Sequence, residues 1–438
     1  MNRLGATPRH TLDDVIGRVV RSGNCSGCGM CTLLDPGLAM TLDSGGFARP
    51  TRAGTDTGTG TDTGTGTGRN PMPDAVERFD AACPGVRVDA QRPPGARRHP
   101  TMGPYVAAWA AFAEDSDVRE RGSSGGAITA ITGWLVETGQ SAPVVAARAS
   151  SADPRRTVSV TIQSKADALA SAGSRYAPVS NAGVALRSDT AVVGKPCEVT
   201  ALRALAGRDP ASPAPLLISF YCAGTPSQLA TERLLGVLGV SKTEPLDDLW
   251  YRGHGWPGDF TAVTTAGPIR TTSYDESWGG HLGPSVQWRC KVCPDGVGES
   301  ADITAADWWR ADENGYPVFL ESDGVSALIA RTERGRDVVL AAAAAGVISL
   351  EPLDLDGLAS VQPLQVARRT QLLGRLLGTL LAGRPTPRYR GFGLAALALR
   401  HPLDVARVAR STRRRVRADR RREEHADSSI PSTGRHSR

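Results

Sequence analysis

The sequence contains no long apolar segment. None of its runs approaches the roughly eighteen uninterrupted apolar residues of a membrane-spanning helix. The opening residues, MNRLGATPRH, are followed by neither the apolar core nor the small-residue cleavage site of a secretory leader. We therefore expect a cytoplasmic protein, and in that reducing compartment its eight cysteines indicate metal binding or catalysis rather than disulfides.

The chain has no net positive charge outside the C-terminal region. The net charge is +6, yet residues 384–422 hold thirteen arginines and two acidic residues, an excess of eleven that leaves the rest of the chain at −5. A mildly acidic body argues against a nucleic-acid partner. We interpret residues 384–438 as a basic, partly disordered tail that is either solvated or in weak contact with an anionic membrane surface.

The densest motif is the cysteine run at residues 25–31, CSGCGMC. Cys25, Cys28 and Cys31 have the C-x2-C-x2-C spacing that binds three corners of an iron–sulfur cluster, and the glycines between them let the backbone curl tightly. Cys83, which precedes a proline, could supply the fourth ligand. A zinc site or a disulfide is the alternative, although zinc usually takes paired C-x2–4-C knuckles from two separate loops.

The segments around this motif predict a ferredoxin-like iron–sulfur module over residues 1–90. A short helix capped by Thr11 precedes the cysteines, and Gly45–Gly46 should turn a small hairpin after them. A helix in the sequence PDAVERFDAACPG should deliver Cys83. Residues 54–68, GTDTGTGTDTGTGTG, form a low-complexity insert with no apolar residue, which we expect to be disordered.

Residues 101–383 alternate predicted strands and helices, which indicates an α/β domain. The apolar run YVAAWAAFA has strand length, and AITAITGWLVETGQ has its apolar residues at helical spacing. The loop between them contains Ser123, Ser124, Gly125 and Gly126. Such a loop at a helix N-terminus can bind an anionic group through free N–H groups. A Ser-capped helix with a tight glycine turn explains the same loop equally well.

Two cysteines follow successive predicted strands of this domain. Cys197 comes after a strand predicted over residues 184–194, and Cys222 ends the strand LLISFYC. In open α/β sheets, ligands gather at the carboxyl ends of neighbouring strands. A lone buried cysteine, however, is usually a small apolar side chain.

A C-x2-C pair, Cys290 and Cys293, completes the eight cysteines. By itself it fits a redox dithiol or half of a zinc site. A thioredoxin-like dithiol should open a helix directly after a strand, and the sequence CKVCPDGVGES is too rich in glycine for that.

Five motifs, in this order, resemble the beta subunit of coenzyme F420-reducing hydrogenase and its relatives, which include beta subunits of related dehydrogenases and 7-hydroxymethyl chlorophyll a reductase. They are S-S-G-G opening a helix, G-K-P-C after a strand, F-Y-C at the next strand end, Y-R-G-x-G-W-P-G, and R-C-x-x-C-x-D-x-x-x-E-x-A-D-I. The similarity extends from Cys25 to about Trp309. The Gly/Thr insert and the basic tail are departures from the family pattern.

The resemblance implies an α/β domain that holds FAD, and two 4Fe–4S clusters that relay single electrons to or from the flavin. The implied ligands are Cys25, Cys28, Cys31 and Cys83 for the first cluster, and Cys197, Cys222, Cys290 and Cys293 for the second. The implied flavin-binding residues are Ser123, Ser124, Gly125, Gly126, Gly194 and Lys195.

Three residues are candidates for catalysis. Lys195 stands where the family commonly has a neutral residue, and it either stabilises a reduced, anionic flavin or neutralises cluster thiolates. Arg252 and Trp256, together with Trp278, are predicted to form the pocket over the flavin. Roles in core packing are the alternative for all of them.

The resemblance implies a flavin-dependent oxidoreductase that passes electrons between a hydride carrier, expected to be coenzyme F420, and a redox partner or substrate. No G-x-G-x-x-G motif follows a predicted strand, which weakens the case for a nicotinamide. One alternative is a non-catalytic electron-transfer subunit that docks through its N-terminal module. Another is a zinc-stabilised protein whose arginine-rich tail binds nucleic acid.

Overall fold

The computed structural model describes residues 10–53, 71–184, 187–208, 214–265, 267–308 and 323–428, with side chains up to residue 419. The insert predicted at 54–68 lies outside these ranges, as do Trp309 and the last ten residues of the predicted tail. The strands are β1 (Leu38–Leu42), β2 (Ala48–Arg52), β3 (Arg87–Asp89), β4 (Arg97–His99), β5 (Gly103–Tyr105), β6 (Ala107–Ala113), β7 (Val144–Ala149), β8 (Thr157–Ile162), β9 (Ala191–Gly194), β10 (Leu216–Phe220), β11 (Leu246–Trp250), β12 (Phe260–Thr264), β13 (Arg270–Thr272), β14 (Ile303–Asp307), β15 (Ser326–Ala330), β16 (Ile348–Pro352) and β17 (Arg388–Arg390).

The α-helices are α1 (Leu12–Arg21), α2 (Ala75–Ala82), α3 (Ser116–Arg121), α4 (Ala127–Glu137), α5 (Lys165–Ala170), α6 (Pro196–Ala206), α7 (Gln228–Val237), α8 (Trp288–Lys291), α9 (Glu333–Ala344), α10 (Leu355–Ser360), α11 (Pro363–Leu380), α12 (Leu394–Leu399) and α13 (Pro402–Ser428). Short 3-10 turns span Met30–Leu33, Asn181–Gly183 and Gly283–Ser285. A single π-helical segment of the described chain spans Glu276–Leu282.

An eight-stranded mixed sheet, in the order β16-β6-β15-β14-β10-β9-β7-β8, forms the centre of the described structure. Its inner strands β14, β10, β9 and β7 run parallel, so their carboxyl ends meet at one edge. Leu216 and Ile218 of β10 pack with α4 and α9, whereas Leu217 faces α6 and the N-terminal segment. Because helices cover both faces, these strands are apolar on both sides. The predicted α/β class is confirmed.

The strand predicted over residues 184–194 is shorter in the structure. Strand β9 begins only at Ala191. Arg187 and Asp189 precede it in an exposed turn and form an ion pair. A central parallel strand is buried on both faces, so these charged side chains cannot belong to it.

Several local predictions for the N-terminal segment are confirmed. Thr11 caps α1 and forms a capping box with Asp14. The β1–β2 hairpin turns at Gly45–Gly46, where Gly46 has a φ of 75°. Helix α2 ends with Cys83 as its C-cap residue.

The described part of the N-terminal segment shares its core with the α/β domain. Leu12 of α1 and Phe79 of α2 belong to the same buried cluster as Leu202 of α6 and Leu217 of β10. In addition, β3 pairs with β17, more than 290 residues later in the chain. The predicted boundaries at residues 90 and 384 therefore do not separate independent cores.

The predicted basic tail is a structural part of the fold as far as it is described. Helix α13 packs along α11, with Thr412 and Val416 buried. Gly374 and Gly378 make this contact possible, because a Cβ at Gly378 would lie 2.3 Å from the carbonyl oxygen of Ala409. The prediction from the sequence rested on the arginines of this segment and did not include its small residues that face α11. No helix in the described ranges is long and apolar enough to cross a membrane.

Replacing Gly378 with alanine should loosen the contact between α11 and α13. The added Cβ would lie 2.3 Å from a backbone oxygen and 2.9 Å from Thr412 Cβ, so α13 has to shift. We expect a loss of about 1–3 kcal/mol in the free energy of unfolding, measured by urea denaturation, and faster proteolysis within α13. Gly236→Ala on α7 is the matched control, because a Cβ there meets nothing within 4 Å. Equal losses in both variants would contradict the close-contact explanation.

Candidate functional site

A cavity of about 480 Å³ opens at the carboxyl edge of the parallel strands. The loop before α4 contributes one wall through Ser123, Ser124 and Gly126. The residues that follow or end the strands contribute a second wall, which consists of Lys195, Cys222 and Asp307. The third wall is aromatic and consists of Tyr176, Tyr274 and Trp278.

The glycines of the S-S-G-G loop have structural reasons to be glycine. A Cβ at Gly125 would lie 2.4 Å from the carbonyl oxygen of Ala111, and the Gly125 N–H donates to Ser326 Oγ at 3.0 Å. Gly126 is left-handed, with a φ of 71°, and begins α4 without a side-chain cap. The first residues of α4 line the cavity. The loop is therefore both a tight glycine turn and a helix N-terminus without a side-chain cap, so the two interpretations of its sequence are compatible.

The hydroxyl groups of this loop are engaged with the protein. Ser124 Oγ donates to the carbonyl oxygen of Val325 at 2.8 Å, and Ser123 Oγ accepts from Ser174 Oγ at 2.8 Å. The hydrogen-bonding capacity that this loop offers to a ligand therefore lies mainly in the backbone N–H groups at the start of α4.

Arg252 holds the loop in place. Its guanidinium is buried and donates to Ser123 O, to Pro257 O at 2.9 Å and to Asp307 Oδ2 at 2.7 Å. It also lies over the ring of Tyr274, 4.7 Å from the ring centroid. Arg252 lines the cavity, but its donors point at protein groups, so it positions the loop, β14 and the aromatic wall relative to one another.

Lys195 is a buried positive charge at the end of β9. Its Nζ donates to Glu198 Oε1 at 2.7 Å and to the carbonyl oxygen of Val179 at 2.7 Å. Burial alone would lower the pKa of Lys195, but the Glu198 carboxylate and the sulfur of Cys197 outweigh burial, and the net shift is upward. Lys195 therefore stays charged on the cavity wall.

Three buried polar atoms of the cavity wall have no hydrogen-bond partner among the residues that the structure describes. They are Thr132 Oγ1, Asn181 Oδ1 and Gln365 Oε1. The amide nitrogen of Asn181 donates to Val193 O, and that of Gln365 donates to Cys222 O. The amide oxygens of Asn181 and Gln365 therefore remain available as acceptors. Buried polar atoms are rarely left unsatisfied, so these three atoms are available to bind a polar group in the cavity.

The four N-terminal cysteines meet around a small hollow. Cys25, Cys28, Cys31 and Cys83 all line it, together with apolar side chains of α1 and α2. Gly27 and Gly29, between the cysteines, are left-handed at φ 71° and 91°, as the expected tight curl requires. Burial raises the pKa of the Cys28 thiol to about 11. Burial also raises the pKa of Cys31, and Cys25, Cys28 and Cys83 are close enough to raise it further.

The other four cysteines lie together at the edge of the cavity. Cys197 is in the first turn of α6, Cys222 follows β10, and Cys290 and Cys293 flank the end of α8. Burial raises the pKa of Cys222 to about 12, and the sulfurs of Cys290 and Cys293 add to the shift. Cys222 is the member of this group that lines the cavity.

The two cysteine groups adjoin each other. Burial is the main cause that raises the pKa of Cys197, and Glu198, Cys28 and Cys290 raise it further. Because Cys28 belongs to the first group and Cys290 to the second, Cys197 lies between the two groups. Arg289 bridges them, since its Nη2 donates to Pro84 O at 2.9 Å, beside Cys83, and its charge faces Cys293 and Cys197. Among the described side chains, Arg289 forms no ion pair with a carboxylate, although it is almost fully buried.

The structure does not bring every predicted residue to the cavity. Trp256 is buried in a cluster with Met102 and Val297, and Gly194 makes room for the Glu198 side chain; neither lines the cavity. Sequence reasoning singled out neither Asn181 nor Gln365, because isolated amides carry no pattern. Arg289 could have been recognised, since it is the arginine of the R-C-x-x-C motif.

Comparison with known proteins identifies the region around the cavity. Residues 108–185 match the family model "Coenzyme F420 hydrogenase/dehydrogenase, beta subunit N-term", and residues 188–356 match the corresponding C-terminus model. Together the two models span more than half of the chain. They include the S-S-G-G loop and the second cysteine group, whereas the first cysteine group and α11–α13 lie outside them.

Solved structures agree in fold. One chain of the F420-reducing [NiFe] hydrogenase complex from Methanosarcina barkeri, studied as a xenon derivative, aligns with a TM-score of 0.50 and 20% identity. The alignment covers 64% of this chain and 95% of the other. No curated protein matches the sequence. The two family models, which are contiguous and in the expected order, show that this chain belongs to the coenzyme F420 hydrogenase/dehydrogenase beta-subunit family.

Proposed function

We propose that this protein is an iron–sulfur flavoprotein oxidoreductase that passes electrons between a hydride carrier and a redox partner or substrate. In this proposal FAD occupies the cavity and two 4Fe–4S clusters occupy the two cysteine groups. The observation that carries it is that the two cysteine groups and the cavity adjoin one another. Cys197 lies between the N-terminal cysteines and the second group, and Cys222 of the second group lines the cavity. The family name makes coenzyme F420 the expected hydride carrier.

The donor sets suit iron–sulfur clusters. A buried thiol with a raised pKa stays protonated unless a cation is bound, and metal binding supplies that cation. In the described chain, no three His, Cys, Asp or Glu side chains are grouped tightly enough for one metal ion. A cubane cluster holds its cysteine sulfurs farther apart than a single ion does, because irons and sulfides lie between them. The C-x2-C-x2-C spacing of Cys25, Cys28 and Cys31 favours a cluster over the zinc alternative.

Arg289 supports the same assignment. A buried charge needs a partner of opposite sign, and the guanidinium of Arg289 faces Tyr389 and the sulfurs of Cys293 and Cys197. Metal-bound thiolates at these positions would supply the negative charge that a buried guanidinium needs. The neighbouring Arg368 similarly donates to the carbonyl oxygens of Cys290 at 2.9 Å and Ala223 at 2.7 Å, which fixes the backbone around the second group.

The cavity wall suits a flavin. The orphaned oxygens of Asn181 and Gln365 can accept ring or ribityl donors, and the start of α4 can bind a phosphate. Tyr176, Tyr274 and Trp278 form an apolar wall for a planar ring, with the centroids of Tyr176 and Trp278 4.9 Å apart. A bound flavin exchanges hydride with one partner and single electrons with another. Lys195 supplies a fixed positive charge beside it, and Arg252 keeps the loop and the aromatic wall in place.

A second candidate is an electron-transfer subunit that needs a catalytic partner. It is favoured by the neighbouring structure, whose chain is part of a hydrogenase complex. The test is activity of the isolated chain. Oxidation of reduced coenzyme F420 with a dye acceptor by this chain alone supports an enzyme in its own right, whereas activity only with added subunits supports the second candidate.

Cofactor content tests the proposal directly. Anaerobically purified protein should be brown, with broad visible absorption that bleaches on addition of dithionite, and it should release FAD on denaturation. Metal analysis should find iron and acid-labile sulfide in equal amounts. Replacing Cys83 with alanine should remove one cluster and leave the flavin bound. Colourless protein that contains zinc would overturn the proposal.

Arg252→Met should weaken flavin retention without removing the clusters. The variant loses the buried hydrogen bonds to Ser123 O and Asp307, so we expect roughly ten- to a hundredfold weaker flavin binding, measured by equilibrium dialysis. Arg155→Met is the matched control, because Arg155 is also buried and bonded to backbone carbonyls, but it does not line the cavity. Equal flavin loss in both variants would indicate general destabilisation instead of loop positioning.

Arg289→Met should lower the reduction potentials of both clusters. Each added electron increases the negative charge near this site, and the guanidinium stabilises that charge. The measurement is a redox titration followed by electron paramagnetic resonance. Arg289→Lys keeps the charge and should retain most of the wild-type potentials. The same downward shift in both variants would contradict an electrostatic role.

A further inference from the structure

Exposed leucines are concentrated on the C-terminal helices. Most of the leucines that the described structure leaves exposed lie on α11, α12 and α13 or at their ends; these are Leu364, Leu377, Leu380, Leu381, Leu399 and Leu403. Leu399 and Leu403 are 79% and 84% exposed, at the corner where α12 leads into α13. Helices that pack on a protein core normally turn such residues inward. These helices lie outside the regions matched by the family models.

A row of arginines continues from this corner along the outer face of α13. Arg410, Arg414 and Arg417 are exposed and recur at helical spacing, on the side opposite the buried Thr412 and Val416. Leu403 lies on the same row, seven residues before Arg410. None of the three arginines forms an ion pair with a described carboxylate. The row is therefore a positively charged surface without a described carboxylate partner, and the exposed Leu403 lies at its N-terminal end.

We propose that this face of α13, with the leucine corner before it, is a docking surface for an anionic lipid bilayer. The arginines would lie among lipid phosphates, and Leu399 and Leu403 would enter the boundary of the acyl chains. Binding at a membrane surface combines the attraction of basic residues to anionic headgroups with the insertion of apolar side chains, and this surface offers both. The site would hold the protein at the membrane without crossing it, and the inference does not depend on the proposed redox function.

The composition of the surface favours lipid over the other polyanions. Residues 394–419 contain no Phe, Tyr or Trp side chain, and His401 is the one ring there that could stack on nucleic-acid bases. The exposed leucines have no binding partner on a phosphate backbone. A protein partner would be selected by charges of both signs in a specific pattern. The row from Leu403 to Arg417 instead carries one sign of charge at regular intervals, which suits a uniform layer of headgroups.

Vesicle flotation of the full-length holoprotein tests the proposal. We expect binding to vesicles of phosphatidylglycerol and phosphatidylcholine, none to phosphatidylcholine alone, and release at high salt. Arg410→Glu, Arg414→Glu and Arg417→Glu together should weaken binding about tenfold or more. Leu399→Ser with Leu403→Ser should weaken it several-fold even at low salt, where charge attraction is strongest.

Two matched controls separate this surface from general effects. Arg233→Glu, Lys242→Glu and Arg270→Glu reverse three exposed charges elsewhere and should leave binding unchanged, as should Val237→Ser with Leu340→Ser, which removes two other exposed apolar side chains. Binding of the wild-type protein, measured against salt concentration and phosphatidylglycerol content, tests the proposal without relying on any variant. Failure to bind anionic vesicles at low salt, equal loss in the control variants, or tighter binding to duplex DNA or to an acidic protein than to vesicles would overturn the proposal.

Discussion

The parallel pairing of β9 with β10 is the constraint on which the site depends. The register places Gly194 opposite Ser219, and Ser219 Oγ donates to Gly194 O at 2.9 Å. Both strands therefore end at the same level. Cys197 and Cys222 follow these strand ends. They therefore lie at the same edge of the sheet, although they are far apart in the sequence. The cavity and the second cysteine group both form at this edge.

Buried positive charge is the second organising feature. Arg252, Arg289 and Arg331 are the largest fully buried side chains of the described structure. Arg331 donates to the carbonyl oxygens of Met102 and Pro104 and so holds β15 to the segment before β6. Burying a guanidinium is costly unless its donors are satisfied. Each of the three uses main-chain carbonyls for this, so each fixes a segment that lies outside the eight-stranded sheet.

Much of this arrangement could be predicted from the sequence, because the decisive signals are local. The helix N-cap at Thr11, the turn at Gly45–Gly46 and the buried strand just before Cys222 depend on neighbouring residues and were predicted from them, although the strand ends at Phe220. The cavity wall formed by Asn181 and Gln365 could not be predicted, since it brings together residues far apart in the chain. The packing of the C-terminal helix could not be predicted for a related reason. Its arginines are conspicuous in the sequence, whereas the packing of Gly378 against Ala409 becomes visible only in three dimensions.

The shared core of the N-terminal segment and α6 has a mechanical consequence. Leu12 and Phe79 are buried in the same cluster as Leu202, and Gln287 ties the segment to α8 by donating to Ser26 O at 3.0 Å. The two cysteine groups therefore cannot swing apart as hinged domains do. Electron passage between them would be independent of domain motion and of solvent viscosity, and any gating of the overall reaction would have to occur where an outside partner or a small molecule arrives.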